Sequence, residues 1–272
     1  CLFNKGKLFY IEYNIRLFVY LLFTRFDAAC AIDLDTIMPV YYAGKLKKAK
    51  LVYDAHELFT EVPEVINRPR VKATWEWIEN KYAPKFDLIY TVGPALAQLF
   101  GLRLNREVHV IRNLPAQASA EQLSSLSQQP SLNPPSIFYQ GALNEGRGLE
   151  YLIDAMKGID AKLLLAGEGD LSSQLREQVK AAGLQEKVQF LGYVNPDELR
   201  TLTAKATVGV NLLESKGLSY YYSLANKFFD YIQAGVPQLC IDFPEYNFIN
   251  NKYDVALLVK NCSANEIKTG LE

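Results

Sequence analysis

Strand and helix signals alternate along nearly the whole chain, which predicts an α/β protein made of two doubly wound, Rossmann-like parallel-sheet halves. Three observations carry this. From Phe26 to Val259, short apolar runs of strand length alternate with longer amphipathic runs. One stretch, Pro115–Pro135, breaks the alternation; it is rich in Pro, Ser, Gln and Ala and holds no Lys or Arg. Beyond it, glycine-bearing turns follow successive strands, as the carboxyl edge of a doubly wound sheet requires. The domains expected are therefore residues 1–115, a linker at 116–135, and residues 136–272.

The elements follow in order. Residues 1–26 are apolar but interrupted by Lys5, Lys7, Glu12, Asn14 and Arg16, so they form neither a signal peptide nor a bilayer span. Leu8, Ile11, Ile15, Phe18 and Leu22 fall near helical spacing and predict an amphipathic helix, which leaves open peripheral contact with the inner face of a cell membrane. Strands are expected at 27–32, 50–53, 88–92 and 108–112, with helices at 36–46 and 71–82 and one opened by Pro94 and closed by Gly101. This alternation implies helices on both faces of the sheet. His109 is expected to pack, and Asp35 to cap the helix that follows it. A short polar helix is expected at 118–127. In the second half, strands are expected at 136–139, 162–166, 188–190, 208–212, 238–241 and 255–259. Helices are expected at 148–156 and 171–182, at Pro196 behind an Asn195 cap, and at 226–233. No helix crossing back to the first half is expected after Val259, and both ends read as incomplete.

Composition narrows the function. Of 272 residues, 49% are hydrophobic and 22% charged, which are globular values. The net charge of -1 argues against bulk nucleic-acid binding. Residues 1–115 carry 16 basic and 12 acidic side chains and residues 136–272 carry 13 and 17, an offset too small to name a partner. The four cysteines, Cys1, Cys30, Cys240 and Cys262, form no CxxC pair, and the simplest reading is a reduced, cytoplasmic protein.

The chemistry concentrates in four turns of the second half. Gly141, Gly146 and Gly148 let the backbone turn sharply and approach a ligand, and the next helix points its first amides at an anion. Arg147 adds donors suited to phosphate. Gly167 and Gly169 form the second turn, and Leu191–Val194, with Tyr193 and Val194, the third. In the fourth region Ala225, Asn226 and Lys227 stand at a helix N-terminus, with Asp230 one turn on along the same face. A carboxylate there can accept hydroxyl hydrogen bonds, as ribose recognition needs. The pattern fits a nucleoside diphosphate laid along a helix end. Each turn is by itself a commonplace strand–helix junction; the ordered set is the signal.

That set carries a resemblance. Ser223-Leu-Ala-Asn-Lys-Phe-Phe-Asp-Tyr-Ile-Gln-Ala-Gly-Val-Pro237 resembles the "PNKlfEYmaaGlP" segment of family 4 (group 1) glycosyltransferases. The preceding GALNEGRGLEYLIDA, LLLAGEGD and VQFLGYVNPDEL segments stand in the family's order. In the first half, Leu51–Leu58 resembles its "vyd.HE" element and Arg112–Pro115 the end of its first domain. The resemblance covers about residues 26–262. It implies a GT-B fold, with a nucleotide-sugar donor on the second domain and a glycan or lipid-linked acceptor across a cleft on the first. It also implies retention of anomeric configuration, with neither cofactor nor metal required.

There are departures. Ala142 stands where the family often has Arg, leaving Arg147 and Lys227 to neutralise the diphosphate. The family's paired acids map to Tyr222 and Asp230, so one acid is missing and the other shortened; Glu214 lies too far upstream to replace the first. The glycine-rich acceptor-side loop is absent. His56, at the end of a strand and on the HE match, is the candidate in the first domain for the acceptor or the donor sugar. Asp33-Leu-Asp35 has the form of a DxD metal motif but sits in the wrong domain and supplies too few oxygen ligands. No Ser-His-Asp order or Cys/His cluster suggests hydrolysis or zinc.

The expected function is transfer of a sugar from a UDP- or GDP-linked donor, in polysaccharide or cell-envelope biosynthesis. The alternatives are a GT-B sugar-nucleotide epimerase, separable by its products, and a non-catalytic nucleotide-sugar binder, separable by lack of turnover. A dehydrogenase is disfavoured because no GxGxxG is followed by an acid at dinucleotide spacing.

Overall fold

The computed structural model describes residues 2–3, 6–117, 119 and 133–272. Most of the expected linker and of the polar helix at 118–127 lie outside the described residues, as do Cys1 and Lys5. The chain divides into two units: Cys1–Arg112 with Gly217–Ser223, and Asn113–Lys216 with Leu224–Glu272. The segment Gly217–Ser223 thus groups with the first unit although it lies within the second half of the sequence.

Unit 1 opens with helix α1 (Gly6–Phe23), followed by β1 (Ala28–Ile32), α2 (Ile37–Lys47), β2 (Lys50–Asp54), α3 (Pro63–Ile66), α4 (Pro69–Tyr82), β3 (Leu88–Thr91), α5 (Pro94–Leu104) and β4 (His109–Val110). The four strands are parallel and pair in chain order. Successive right-handed crossovers in one direction put their helices on one face. Burial agrees, for Ala31, Leu51, Tyr53, Ile89 and Thr91 are buried whereas Cys30 and Ile32 on the alternate face are exposed. Helices on both faces, the expectation for this half, are therefore not what the strand order produces.

Other expectations for unit 1 are corrected. The helix opened by Pro94 runs through Gly101 and ends at Asn105, which takes the left-handed cap at φ 50°. His109 is half exposed, with Nδ1 3.9 Å from Glu107, because its two-residue strand lies at the sheet edge. Asp35 sits inside a 3-10 turn, Leu34–Thr36, and makes no cap; Thr36 precedes α2 and gives no side-chain cap bond either. The α1 helix forms as expected. Asn14 Nδ2 donates to the Asp35 carbonyl at 3.0 Å and Tyr10 meets Trp75 edge-on, while Leu8, Ile11 and Ile15 are exposed. Among the described residues no helix is long and apolar enough to cross a membrane.

Unit 2 contains β5 (Ser136–Gln140), α6 (Leu149–Ala155), β6 (Lys162–Ala166), α7 (Ser172–Ala181), β7 (Val188–Gly192), α8 (Pro196–Lys205), β8 (Val208–Asn211), α10 (Asn226–Ala234), β9 (Gln238–Ile241), α11 (Pro244–Tyr253), β10 (Leu257–Val259) and α12 (Ala264–Leu271). Helix α9 (Leu218–Tyr221) belongs to unit 1. The six strands are parallel, in the order β10-β9-β8-β5-β6-β7. The chain starts in the middle and winds outward both ways, so the order reverses between β5 and β8. β5 and β9 are buried throughout, as strands covered on both faces must be. Local chemistry sets the helix ends. Asn195 accepts from the Glu198 amide at 3.0 Å to cap α8. Gly235, at φ 68°, closes α10: its amide bonds Ile232 O, and Val236 N bonds Tyr231 O, the paired C-terminal closure that favours glycine. A helix does follow Val259: α12 packs on α6, β9 and β10, within unit 2.

Candidate functional site

In an open parallel sheet, ligands bind at the carboxyl edge where strand order reverses, here beside β5 and β8. The turns leaving β5, β6 and β7 meet at that edge. Gly141 N donates to Ala166 O at 2.9 Å and Gly167 N to Gly192 O at 2.8 Å. The φ angles of Gly141 and Gly167, 130° and 140°, exclude ordinary side chains. A Cβ at Gly167 would run into the Gly141 carbonyl, and one at Gly169 into Leu143 and Asn144. These glycines therefore permit close backbone approach between turns.

Lys227 reaches into this edge from the first turn of α10. Its Nζ lies 3.8 Å from the centre of the Tyr139 ring and 3.4 Å from where a Cβ on Gly141 would stand. Tyr139 donates its hydroxyl to the Ala142 carbonyl at 2.8 Å. Loss of hydration, and then the charge of Arg147, pushes the Lys227 ammonium well below its ordinary value, with Cys240 and Asp230 opposing. A second cation beside a partly buried ammonium makes an incoming anion favourable. Asn226 is exposed beside it, and the Ala225 amide donates to Tyr246 Oη at 3.0 Å.

Asp230 stands one turn further on. Its Oδ2 accepts from Gln140 Nε2 at 2.7 Å. Burial raises its proton affinity, opposed by that hydrogen bond and by the charges of Arg200 and Lys227. Together with Gln140, Pro196, Arg200, Thr203 and Gln233 it lines a cavity of about 550 Å³. On the turn after β7, Tyr193 is exposed, while Val194 packs against the Phe138–Tyr231 core and could serve a ligand only through its backbone. Glu214, set aside on spacing, is tied by its amide to the Gly146 carbonyl at 2.9 Å, and its carboxylate lies 3.5 Å from Lys216 Nζ.

Unit 1 has a carboxyl edge of its own. His56 follows β2, half exposed, with Nδ1 3.6 Å from Asp54 Oδ1, and Tyr90 donates its hydroxyl to Asp54 Oδ2 at 3.0 Å. Asp33 ends β1 at φ 59°; burial, then Glu57, raises its carboxyl to about 6. Ser219 Oγ lies 3.4 Å from Glu57 Oε2. Among the described residues no group of three His, Cys, Asp or Glu stands at metal-holding spacing. Tyr222, in the slot of the missing acid, lies in the segment that groups with unit 1 and meets Tyr221 edge-on.

The structure thus gathers Gly141, Lys227, Asn226 and Asp230 of the expected set on one edge of unit 2, with Arg147 close enough to lower the proton affinity of Lys227. It adds Tyr139, Gln140 and Thr203, for which the sequence holds no motif: they are an ordinary strand end and a helix interior.

The pattern of the family described as glycosyl transferases group 1 matches residues 124–272. The uncharacterised glycosyltransferase MJ1607 of Methanocaldococcus jannaschii is 42% identical over 78 residues, 27% of this chain and 20% of that protein. The D-rhamnosyltransferase WbpZ of Pseudomonas aeruginosa is 34% identical over 67 residues, 25% and 17% of the two chains. Each aligned stretch thus spans a fifth or less of the relative's length. Among solved structures, Anabaena HepE in complex with UDP and glucose superposes with a TM-score of 0.75 at 17% identity, over 97% of this chain and 72% of its own. Sucrose-phosphate synthase of Thermosynechococcus elongatus gives 0.73 at 17%, over 99% and 70%. At such identities the likeness speaks for the fold, which is GT-B. On the match across more than half its length, the chain belongs to the group 1 glycosyl transferases.

Proposed function

We propose that this protein transfers a sugar from a nucleoside diphosphate sugar, UDP- or GDP-linked, to a glycan or lipid-linked acceptor with retention of configuration. The observation that carries the reading is the placement of Lys227 against Tyr139 and Gly141, with Arg147 nearby, at the switch point of unit 2. A poorly hydrated ammonium beside a second cation and a helix N-terminus is matched to a diphosphate. As the sugar C1–O bond breaks, negative charge grows on the leaving phosphate. Lys227, Arg147 and the first amides of α10 are already oriented to receive it, which lowers the barrier without reorganisation. Asp230 receives the ribose hydroxyls. His56, with Nδ1 3.6 Å from Asp54 Oδ1, serves the acceptor on unit 1. HepE, of the same fold, was solved with UDP and glucose, and this supports a UDP-linked donor here.

Calorimetry with UDP, GDP, ADP and their sugars tests the reading, followed by product analysis with the donor that binds. Binding of one nucleotide diphosphate, then sugar transfer with retention, is expected; no binding of any of them refutes the donor site. Tyr222 in place of an acid favours one second reading, a nucleotide-sugar binder without turnover. Donor binding with no transfer to any acceptor would support it.

A further inference from the structure

Helices α8 and α10 lie side by side in unit 2, and the side chains between them form a chain of hydrogen bonds. Gln140, the last residue of β5, is only 5% exposed, and Thr203 is 2% exposed. Gln140 Nε2 donates to Asp230 Oδ2 at 2.7 Å, and Gln140 Oε1 lies 2.7 Å from Thr203 Oγ1, which can donate to it. The carboxylate sets which way round the amide stands: reversed, it would aim its carbonyl at an anion. Thr203 Oγ1 is 2.7 Å from Leu199 O as well and, with one proton, donates to one of its two acceptors at a time. Asp230 Oδ1 takes no hydrogen bond from the described residues, and Asp230 lines the 550 Å³ cavity.

We propose that Gln140 is a positioning residue: it pins one oxygen of Asp230, with Thr203 holding the far end of its amide, so that the other oxygen is presented to the ribose diol of the donor. This rests on the donor reading above. The physical need is specific. A carboxylate on a short Asp side chain can turn about its last bond, and Arg200 and Lys227 both attract it. Pinned by Gln140, it keeps one acceptor directed at the ligand, and the pin also favours the ionised form in a place where burial disfavours it. Hydrogen bonds to a charged acceptor are the strong ones, so the device sharpens the distinction between ribose and deoxyribose.

The test compares wild type, Gln140→Leu, Thr203→Val and Thr203→Ser. UDP and GDP are titrated first, and the tighter is compared with its 2′-deoxy form and with pyrophosphate. Wild type should prefer the ribonucleotide by about 10-fold, the scale of one hydrogen bond to a charged group. Gln140→Leu should remove most of that preference while pyrophosphate binding changes less than about 2-fold, since only the pinned contact is lost. Thr203→Val should lose part of it, and Thr203→Ser, which keeps the hydroxyl, should retain it. If Gln140→Leu does not fold, the near-isosteric Thr203→Val carries the test. A ribose preference unchanged in whichever of the two variants is folded overturns the inference, as does a wild type that binds both nucleotides equally. A wild type that binds neither UDP nor GDP instead overturns the donor reading, and the inference falls with it.

Discussion

The Lys227 ammonium stands 3.8 Å from the centre of the Tyr139 ring. The ring face attracts a cation but replaces water poorly, and Arg147 repels it, so the free protein holds this proton weakly. A bound diphosphate restores the attraction. Binding should therefore take up a proton at pH values between those of the free and the bound ammonium, and affinity should fall as pH rises through that range. Calorimetry in buffers of different ionisation enthalpy measures the uptake. Lys227→Met, which keeps the apolar stem, should abolish the uptake and weaken UDP or GDP by roughly 1.5–3 kcal/mol. Binding without proton exchange in wild type would contradict the assignment.

Gly167 tests the close approach of the turns. Its φ of 140° and the Gly141 carbonyl beside it leave no room for a methyl group, and both backbones are held by hydrogen bonds. Gly167→Ala should cost about 1–3 kcal/mol or more in denaturant unfolding, the range for overpacking. Gly183, at φ 69° with open space around its Cβ position, is the control. Gly183→Ala should cost only about 1–2 kcal/mol from the left-handed backbone and leave nucleotide binding alone.

His56 separates turnover from donor affinity. His56→Ala should lower transfer by about 10-fold, the scale of one hydrogen bond to a polar substrate group, with nucleotide affinity nearly unchanged. Asp54→Asn should act in the same direction, because Asp54 Oδ1 lies 3.6 Å from the imidazole. A normal rate with a lowered melting temperature would make His56 structural.

Glu79 makes stability depend on pH. Desolvation, outweighing the attraction of Arg103, raises its carboxyl from 4.5 to about 7. Between those values the folded protein holds a proton that the unfolded chain has lost. Stability of unit 1 should therefore fall as pH rises through this window and then level off. Glu79→Gln should flatten the dependence and raise the melting temperature above neutral pH by roughly 2–4 °C per kcal/mol recovered. Melting curves across the window check both; an unchanged slope in the variant would place the titration elsewhere.

Local signals made much of unit 2 legible. Asn195-Pro196 and Gly235-Val-Pro237 mark helix ends by hydrogen bonds and backbone angles that involve neighbours in sequence, so they can be read without tertiary structure. Ser263 and Glu266 likewise stand at capping-box spacing, and the Ser263 hydroxyl accepts from the Glu266 amide at 3.3 Å, opening α12. The α11 helix offered less. Its sequence PEYNFINNKY holds three asparagines, poor helix formers, and it is secured by Tyr246, buried against Phe228 with ring centres 5.1 Å apart.

The strand–helix alternation, the glycine turns, the family motifs and the candidates Lys227 and Asp230 can be read from the chain alone, because each depends on residues a few positions apart. Tertiary structure decided what those candidates touch. Tyr139 and Lys227 are neighbours only because β5 and α10 meet at the switch point, and Gln140 reaches Asp230 across 90 positions of chain. It also decided that the sheet of unit 1 buries one face, since that follows from strand order and not from the composition of any strand. A contact between distant residues leaves no periodicity in either segment; it exists only once burial of the apolar faces has brought the segments together.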